Sequence, residues 1–235
     1  MNRAIGILGV AFILCAAAWP AQAAPLQFGV KAGMVSSKVR YSGTVDGLGD
    51  IGANMNDLID ARTGWGAGVF ATLGLGPMLS IQPELLFVRK GWKWEESFPE
   101  VDTFGQVVGL ITTRQEYAVD YLQVPVVGRW TPPLAGPVRP SVYAGPALSF
   151  KIGSDGRWWI NGQEVLSGNL GVDELAQRIT ATEVGVVLGV EVEFRRFLVD
   201  ARYDVGLTDI LETGAGTENV KTLSRSLILM GGYRF

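Results

Sequence analysis

The chain has 235 residues, a formal net charge of −3, and 48% hydrophobic against 18% charged residues. This slight negative charge and the lack of a basic stripe argue against a nucleic-acid partner. The sequence contains no histidine, and its single cysteine is Cys15, which excludes catalytic triads with an imidazole base and the usual zinc sites. We therefore expect no enzyme activity, with no catalytic residue, cofactor or metal site, although residue type alone leaves a mechanism with two carboxylates open.

Residues 1–23 have the features of a secretory signal: an early arginine, an apolar stretch over residues 5–18, and an A-x-A cleavage site that ends at Ala23. The apolar stretch is too short for a transmembrane helix. Lipidation at Cys15 is the alternative, but the residues before it lack the small side chain that such a site requires. We expect export, cleavage near Ala23 and a mature single domain over residues 24–235.

Apolar residues alternate with polar residues or glycine along much of the mature chain, which is the pattern of strands with two different faces. The clearest case is residues 184–194, where Val, Leu and Phe interleave with Gly, Val and Glu. The pattern predicts about eight strands, near residues 26–36, 63–74, 79–92, 114–130, 138–151, 181–195, 198–208 and 224–235.

The predicted connections alternate between short turns and long loops. The short ones lie at residues 74–77, 132–137 and 195–197, and the long ones at residues 37–62, 93–113, 152–180 and 209–223. This alternation is typical of bacterial outer-membrane barrels. We therefore predict an all-β fold, an eight-stranded antiparallel up-and-down transmembrane β-barrel with short periplasmic turns and long extracellular loops.

Charged residues at one parity of the strands should face the lumen, because a charge that faces lipid near the midplane costs about 2–4 kcal/mol. The lumen of such a barrel is narrow enough for side chains to fill, so we expect a paired network that also includes Lys31. If Arg196 and Phe197 form a turn, Glu191 lies opposite Arg202. A conducting lumen is one alternative, and a soluble lipocalin-like barrel with reversed faces is another. The predicted lumen charge network comprises Glu84, Arg129, Glu191, Glu193, Asp200, Arg202, Asp204 and Arg234.

Aromatic residues and prolines add three local predictions. Trp158 and Trp159 precede Asn161-Gly162, a strong hairpin-turn signal, and this tryptophan pair is the predicted loop contact surface. Prolines within strands are expected to require β-bulges, at Pro83, Pro125 and Pro146. Aromatics near strand ends are expected to form girdles at the two membrane interfaces, namely Trp65, Trp92, Trp94, Trp130, Tyr203, Tyr233 and Phe235.

Five segments resemble one group of proteins, the PorT-like "porin family" of outer-membrane β-barrels. The segments are Ser80-Ile81-Gln82-Pro83-Glu84-Leu85-Leu86-Phe87, Asp120-Tyr121-Leu122-Gln123-Val124-Pro125-Val126, Tyr143-Ala144-Gly145-Pro146, Asp200-Ala201-Arg202-Tyr203 and Gly232-Tyr233-Arg234-Phe235. The resemblance implies outer-membrane lipid as surroundings and the barrel assembly machinery as a partner during insertion. It also implies that Tyr233 and Phe235 form the insertion signal. Some relatives belong to secretion apparatus.

The leading hypothesis is a small non-enzymatic integral outer-membrane barrel with a side-chain-filled lumen. Its outer loops would bind a ligand, or the barrel would serve an envelope or secretion assembly through an unidentified partner protein. The first alternative is a narrow porin-like channel for ions or small solutes. The second is a soluble lipocalin-like binder of apolar ligands.

Overall fold

The computed structural model describes residues 26–42, 44–45, 49–50, 56, 58–165, 179–210 and 221–235. The predicted signal segment, residues 1–23, lies outside these ranges. The described residues contain no helix that is long and apolar enough to cross a membrane. Their strands are β1 (Leu26–Ser42), β2 (Thr44–Val45), β3 (Gly49–Asp50), β4 (Ile59–Gly74), β5 (Leu79–Val101), β6 (Val107–Trp130), β7 (Val138–Ile160), β8 (Gln163–Val165), β9 (Thr182–Phe194), β10 (Phe197–Gly206) and β11 (Lys221–Arg234).

Eight of these strands form one closed antiparallel ring, in the order β1, β4, β5, β6, β7, β9, β10 and β11. β1 closes the ring by pairing with β4 on one side and with β11 on the other. The closing ladder runs from Gly29 opposite Arg234 to Ser42 opposite Lys221. Closure satisfies the backbone groups that an open sheet edge would expose to lipid. The predicted eight-stranded antiparallel up-and-down barrel is therefore confirmed, with β2–β3 and β8 as additions to the ring.

The alternation of the sequence becomes an apolar outside and a polar inside. In β9, Leu188 is 61% exposed on the outer face, whereas Glu191 is 0% exposed on the inner face. The outward apolar residues form an apolar belt, which on β5 runs from Leu79 to Phe87. The belt ends where Arg89 Nε lies 3.3 Å from Asp120 Oδ1. This distribution is that of a membrane barrel, and it is the reverse of the one expected for a lipocalin-like barrel.

The two ends of the barrel differ as predicted, although one predicted loop is wrong. Short connections at residues 75–78, 131–137 and 195–196 share the end that carries the beginning of β1 and the end of β11. We call this end periplasmic and the other extracellular, following the arrangement of outer-membrane barrels. At the extracellular end, the predicted loop 93–113 is instead a continuation of β5 and β6, connected only by residues 102–106.

The predicted hairpin turn at Asn161-Gly162 is confirmed. β7 continues to Ile160, which pairs with Gln163 of β8. Asn161 has φ of 50° and Gly162 has φ of 79°, the left-handed conformation that a two-residue type I′ turn requires at both positions. The rest of the predicted loop 152–180 is described only from residue 179 onward, because residues 166–178 lie outside the described ranges.

The expected pairing of Glu191 with Arg202 is wrong. The turn consists of Arg195 and Arg196, with φ of 59° at Arg195, so that Phe194 rather than Arg195 begins the β9–β10 ladder. Glu191 therefore lies opposite Asp200. The register moves by two residues, which keeps every side chain on its predicted face because the period of a strand is two.

The prediction that strand prolines require bulges is also wrong. On either side of Pro83, Pro125 and Pro146 the strands keep the same register. A proline removes one ladder donor but inserts no residue, and its φ is compatible with extended backbone at these positions. The register shifts lie elsewhere, between residues 61 and 66, 100 and 101, and 120 and 121.

Candidate functional site

The middle of the lumen is filled by a central ion cluster of Lys31, Glu84, Asp200 and Arg202. Lys31 Nζ lies 2.6 Å from Glu84 Oε1 and 3.0 Å from Asp200 Oδ2. Arg202 Nη1 lies 2.7 Å from Glu84 Oε2, and Arg202 Nη2 lies 2.5 Å from Asp200 Oδ2. All of these side chains are fully buried. Two cations therefore balance two anions across three strands, as a buried charge requires.

Tyr143 of β7 supports this cluster from the side. Its hydroxyl donates a hydrogen bond of 2.6 Å to Asp200 Oδ1, and the Arg202 guanidinium lies 5.3 Å from the centroid of its ring. The ring lies over Gly189, its ladder partner in β9. A Cβ atom at Gly189 would be 2.4 Å from the tyrosine hydroxyl, so glycine is required there to make room for the ring.

A second group, the periplasmic ion cluster, consists of Arg129, Glu191, Glu193 and Arg234. Glu191 Oε1 accepts hydrogen bonds from Arg129 Nη2 at 2.7 Å and from Arg234 Nη2 at 3.2 Å. Arg234 Nε lies 2.9 Å from Glu193 Oε2. Gln82 joins the two clusters, because it accepts a hydrogen bond from Arg129 and donates one to Glu84.

Toward the extracellular end lies an outer polar cluster of Lys90, Gln123, Glu183 and Asp204. Lys90 Nζ is 3.8 Å from Glu183 Oε2 and 4.0 Å from Asp204 Oδ2, and Gln123 Nε2 donates to Asp204 Oδ2 at 3.0 Å. Of the predicted network, only Asp204 falls in this group. Sequence reasoning missed Lys90, Gln123 and Glu183, although Lys90 and Glu183 have the same strand parity as Glu84 and Glu191.

Apolar residues fill the lumen around and above these clusters. One group packs between the central and outer polar clusters: Val35, Leu86, Val88, Ile228 and Met230. Another, which we call the aromatic plug, closes the extracellular end: Val39, Ile59, Trp92, Tyr117, Val119, Tyr121, Ile179 and Ile210.

The aromatic plug corrects one prediction. Trp92 does not belong to a girdle, because it faces inward, is only 3% exposed and stacks on Tyr117 with ring centroids 5.0 Å apart. Burial and the neighbouring Tyr41 raise the pKa of Tyr117 to about 12. Trp158 is half-buried and packs against the plug, and the contact surface formed by Trp158 and Trp159 stays a prediction. Trp159 lies beneath Arg114, whose guanidinium carbon is 5.5 Å from the ring centroid.

Beyond the apolar belt, Glu116 is the centre of a partly buried charge cluster. It accepts a hydrogen bond from Arg114, and its carboxylate lies 3.4 Å from Lys93 Nζ and 3.7 Å from Arg62 Nε. Burial alone would raise the pKa of Glu116, but the hydrogen bond from Arg114 and the charge of Lys93 outweigh it and lower the pKa.

At the periplasmic rim, the predicted insertion-signal residues Tyr233 and Phe235 lie among other aromatic rings. The Tyr233 ring contacts Phe197 and Phe235 edge-on, with centroids 5.4 and 5.6 Å apart. Trp130 is exposed at the same end, and Trp65 is exposed on the outer face toward the other end of the belt. These positions suit interfacial girdles. The insertion role itself stays a prediction.

The described interior has little empty space. One cavity beside the outer polar cluster and one beside the aromatic plug each measure about 10 Å³, roughly the minimum for one water molecule. The arrangement therefore pairs the charges of the central and periplasmic ion clusters and fills the ring. A larger pocket of about 350 Å³ opens at the periplasmic mouth, beside the periplasmic ion cluster.

A closed ring of eight antiparallel strands, apolar outside and charged inside, defines an outer-membrane type of β-barrel. The chain belongs to the family of the outer membrane protein beta-barrel domain, whose family model matches residues 20–212. No curated protein matches the chain.

Several solved outer-membrane barrels are similar to the chain over most of its length. OprG from Pseudomonas aeruginosa has 10% identity and a TM-score of 0.41, and the match covers 90% of this chain and 97% of that one. Outer Membrane Protein W of E. coli has 16% identity and a TM-score of 0.37, covering 91% and 100%. Ail of Yersinia pestis has 13% identity and a TM-score of 0.36, covering 89% and 98%. At identities and TM-scores this low, the similarity assigns no function to this chain.

Proposed function

We propose that the protein is a non-enzymatic, non-conducting outer-membrane barrel that presents a binding surface outside the cell. The observation that carries this proposal is the filled lumen. Within the family, we further propose membership of the PorT-like group, on the five segments that resemble it, and cleavage of the signal near Ala23.

The lumen supports a non-conducting barrel because its layers are of different kinds and follow one another along the axis. An ion that entered from the periplasm would meet the periplasmic ion cluster, the central ion cluster, an apolar layer, the outer polar cluster and finally the aromatic plug. The periplasmic and central ion clusters are each internally paired, so displacing one of their side chains would leave a buried charge unpaired. A narrow channel for ions or small solutes is the alternative.

The surface with the best claim to binding is the tip of the β5–β6 hairpin. The hairpin continues more than ten residues past the Arg89–Asp120 pair, which is the upper limit of the apolar belt. Exposed apolar side chains on a protruding element are typical of interaction sites. Phe104 at the tip is 87% exposed, and it is accompanied by Phe98, Val101, Val107, Val108 and Leu110.

Single-channel recording in planar bilayers tests the closed lumen. We expect no reproducible conductance steps from the purified, refolded barrel. The same sample should show a heat-modifiable shift in gel mobility. The absence of conductance steps can then be attributed to a folded barrel. Steps of constant size would favour the channel and contradict the proposal.

Cysteine labelling on intact cells tests the position of the binding surface. The mature chain is expected to lack cysteine, so Phe104→Cys provides a single label site at the hairpin tip. A membrane-impermeant maleimide should label Phe104→Cys without permeabilisation. The matched variant Arg196→Cys, in the β9–β10 turn, should be labelled only after the outer membrane is permeabilised. The opposite pattern would place the hairpin in the periplasm and overturn the proposal.

A further inference from the structure

Three chain segments meet at one sector of the periplasmic rim. They are residues 137–139 at the start of β7, the β9–β10 turn, and the end of β11. The Arg195 amide donates to the carbonyl of Pro137 at 3.3 Å, and the Arg234 amide donates to the carbonyl of Arg196 at 2.8 Å. Backbone hydrogen bonds thus hold the three segments in a defined arrangement.

These segments enclose a pocket with a volume of about 350 Å³, which we call the basic rim pocket. This volume is within the range of small-ligand sites. Four guanidinium groups and one carboxylate side chain line the pocket, so cations are in excess. The charged lining residues are Arg139, Glu193, Arg195, Arg196 and Arg234.

The excess charge is not neutralised within the described residues. Arg234 is paired with Glu191 and Glu193, and no ion pair of the described residues includes Arg139, Arg195 or Arg196. Like charges around one concave pocket repel each other, and an anion placed among them relieves that repulsion. The pocket is therefore suited to a negatively charged ligand.

Two of these arginines are tied to aromatic residues on the lipid side of the rim. The Arg195 guanidinium carbon lies 5.5 Å from the ring centroid of Phe194, and Arg196 Nη1 donates a hydrogen bond of 3.3 Å to the Tyr233 hydroxyl. Phe194 and Phe235 are exposed at this end of the apolar belt. Aromatic side chains at strand ends mark the depth of the lipid headgroups, so both guanidinium groups lie at the depth of the phosphates.

The other periplasmic turns show that this charge is localised. Residues 75–78 are Leu-Gly-Pro-Met, and residues 131–137 are Thr-Pro-Pro-Leu-Ala-Gly-Pro, with no charged residue in either turn. If the arginines served only to keep the periplasmic end in water, they would have no reason to be concentrated in one sector. Their concentration around a pocket favours a specific site.

We propose that the basic rim pocket binds the phosphate headgroup of an anionic phospholipid in the periplasmic leaflet. Arginine is suited to this ligand because its planar guanidinium group can donate two parallel hydrogen bonds to a phosphate. The contacts of Arg195 and Arg196 with lipid-facing aromatics favour a lipid headgroup over free phosphate. The basic rim pocket is separate from the extracellular binding surface. This proposal does not depend on the function proposed for that surface.

Native mass spectrometry of the detergent-solubilised barrel tests this site by titration with phosphatidylglycerol or phosphatidylcholine. We expect retained phosphatidylglycerol adducts and few phosphatidylcholine adducts. In the double variant Arg195→Gln, Arg196→Gln, the affinity for phosphatidylglycerol should fall about tenfold or more, since each basic residue near a membrane surface contributes on the order of 1 kcal/mol. Both residues are exposed, so the variant should fold, and a heat-modifiable gel shift checks this.

The matched control is Lys38→Gln, Arg40→Gln, which removes the same charge from exposed residues at the extracellular end of β1. Its phosphatidylglycerol affinity should equal that of the wild type. An equal loss in both double variants would show a nonspecific charge effect and overturn the proposal. Equal binding of the two lipids by the wild type would overturn it as well. If inorganic phosphate displaces the adducts at a concentration comparable to that of the lipid, the ligand is free phosphate and the lipid assignment is wrong.

Discussion

The central ion cluster and the aromatic plug fill the same lumen by opposite means. Around Lys31 and Arg202, directional ion pairs of 2.6 to 3.0 Å join strands across the ring. Around Trp92 and Tyr117, the contacts are dispersive, and the rings stack with an interplanar angle of 23°. Losing one ion partner leaves a buried charge, whereas truncating a plug residue leaves a cavity. The comparison predicts that substitutions in the two layers lower the free energy of unfolding by different amounts.

The largest effect is expected from Arg202→Met, which keeps an unbranched side chain but removes the guanidinium group and its charge. Glu84 and Asp200 would then share the single cation of Lys31, and the free energy of unfolding should fall by about 3–5 kcal/mol. Urea unfolding in micelles, followed by tryptophan fluorescence, measures the loss. The control Arg157→Met removes an exposed pair with Asp155 and should change stability by no more than about 0.5 kcal/mol. Similar losses in both variants would contradict the role of the cluster.

A somewhat smaller loss, about 3 kcal/mol, is expected for Trp92→Ala in the aromatic plug, the lower end of the usual range for truncating a buried tryptophan. The plug lies at the end of the barrel, so its neighbours have more freedom to collapse into the space than residues in the middle of the ring. Phe104→Ala, at an exposed site, is the control and should be close to neutral. If Trp92→Ala were also neutral, the plug would not contribute to stability, and conductance should then be measured again.

Gly189→Ala tests the place where an aromatic ring, that of Tyr143, packs beside the central ion cluster. The added methyl group meets the ring of Tyr143, which must shift and weaken its hydrogen bond to Asp200, at a cost of about 1–3 kcal/mol. Gly231→Ala is the matched control, because a Cβ there meets no atom within 4 Å. A double variant that adds Tyr143→Ala should show less than additive loss. Equal stability of the two glycine variants would show that the ring is free to move.

The smallest effect is expected outside the apolar belt, at Glu116. Its pKa is lower in the folded state than in the unfolded chain, so its stabilising effect is full above the unfolded value of about 4.3 and disappears as the pH falls through the folded value. Glu116→Gln should therefore reduce stability at pH 7 by about 1 kcal/mol, the upper end for ion pairs that solvent still reaches. Unfolding curves at pH 7 and pH 3 should show a difference that is smaller at the lower pH. A difference that was as large at pH 3 as at pH 7 would require a cause other than charge.

Strand parity accounts for most of what was predictable in the lumen. Glu84, Arg202 and Arg234 all have the inward parity, and all are buried in the structure. The same parity would have shown that Trp92 faces inward, but its position near a predicted strand end suggested a girdle instead. Lys90 could have been found in the same way.

The pairing of lumen charges was less predictable, because it depends on turns and on contacts across the ring. Moving the turn to Arg195-Arg196 placed Glu191 opposite Asp200 instead of Arg202. Glu191 is compensated by Arg129 and Arg234 from other strands. Neither contact follows from alternation along one strand, since the partners are separated by many residues in sequence.

The sequence by itself determined the strands, their inward and outward faces, and the short and long ends of the barrel, because period-two alternation and turn residues act locally. Tertiary structure alone decided which charges meet, that β5 and β6 continue as a hairpin, and that Trp92 and Trp158 help close the extracellular end. It also brought the arginines of β7, β9–β10 and β11 to one pocket. These features depend on how far neighbouring strands are staggered when the ring closes, and that stagger is set by all eight pairings together.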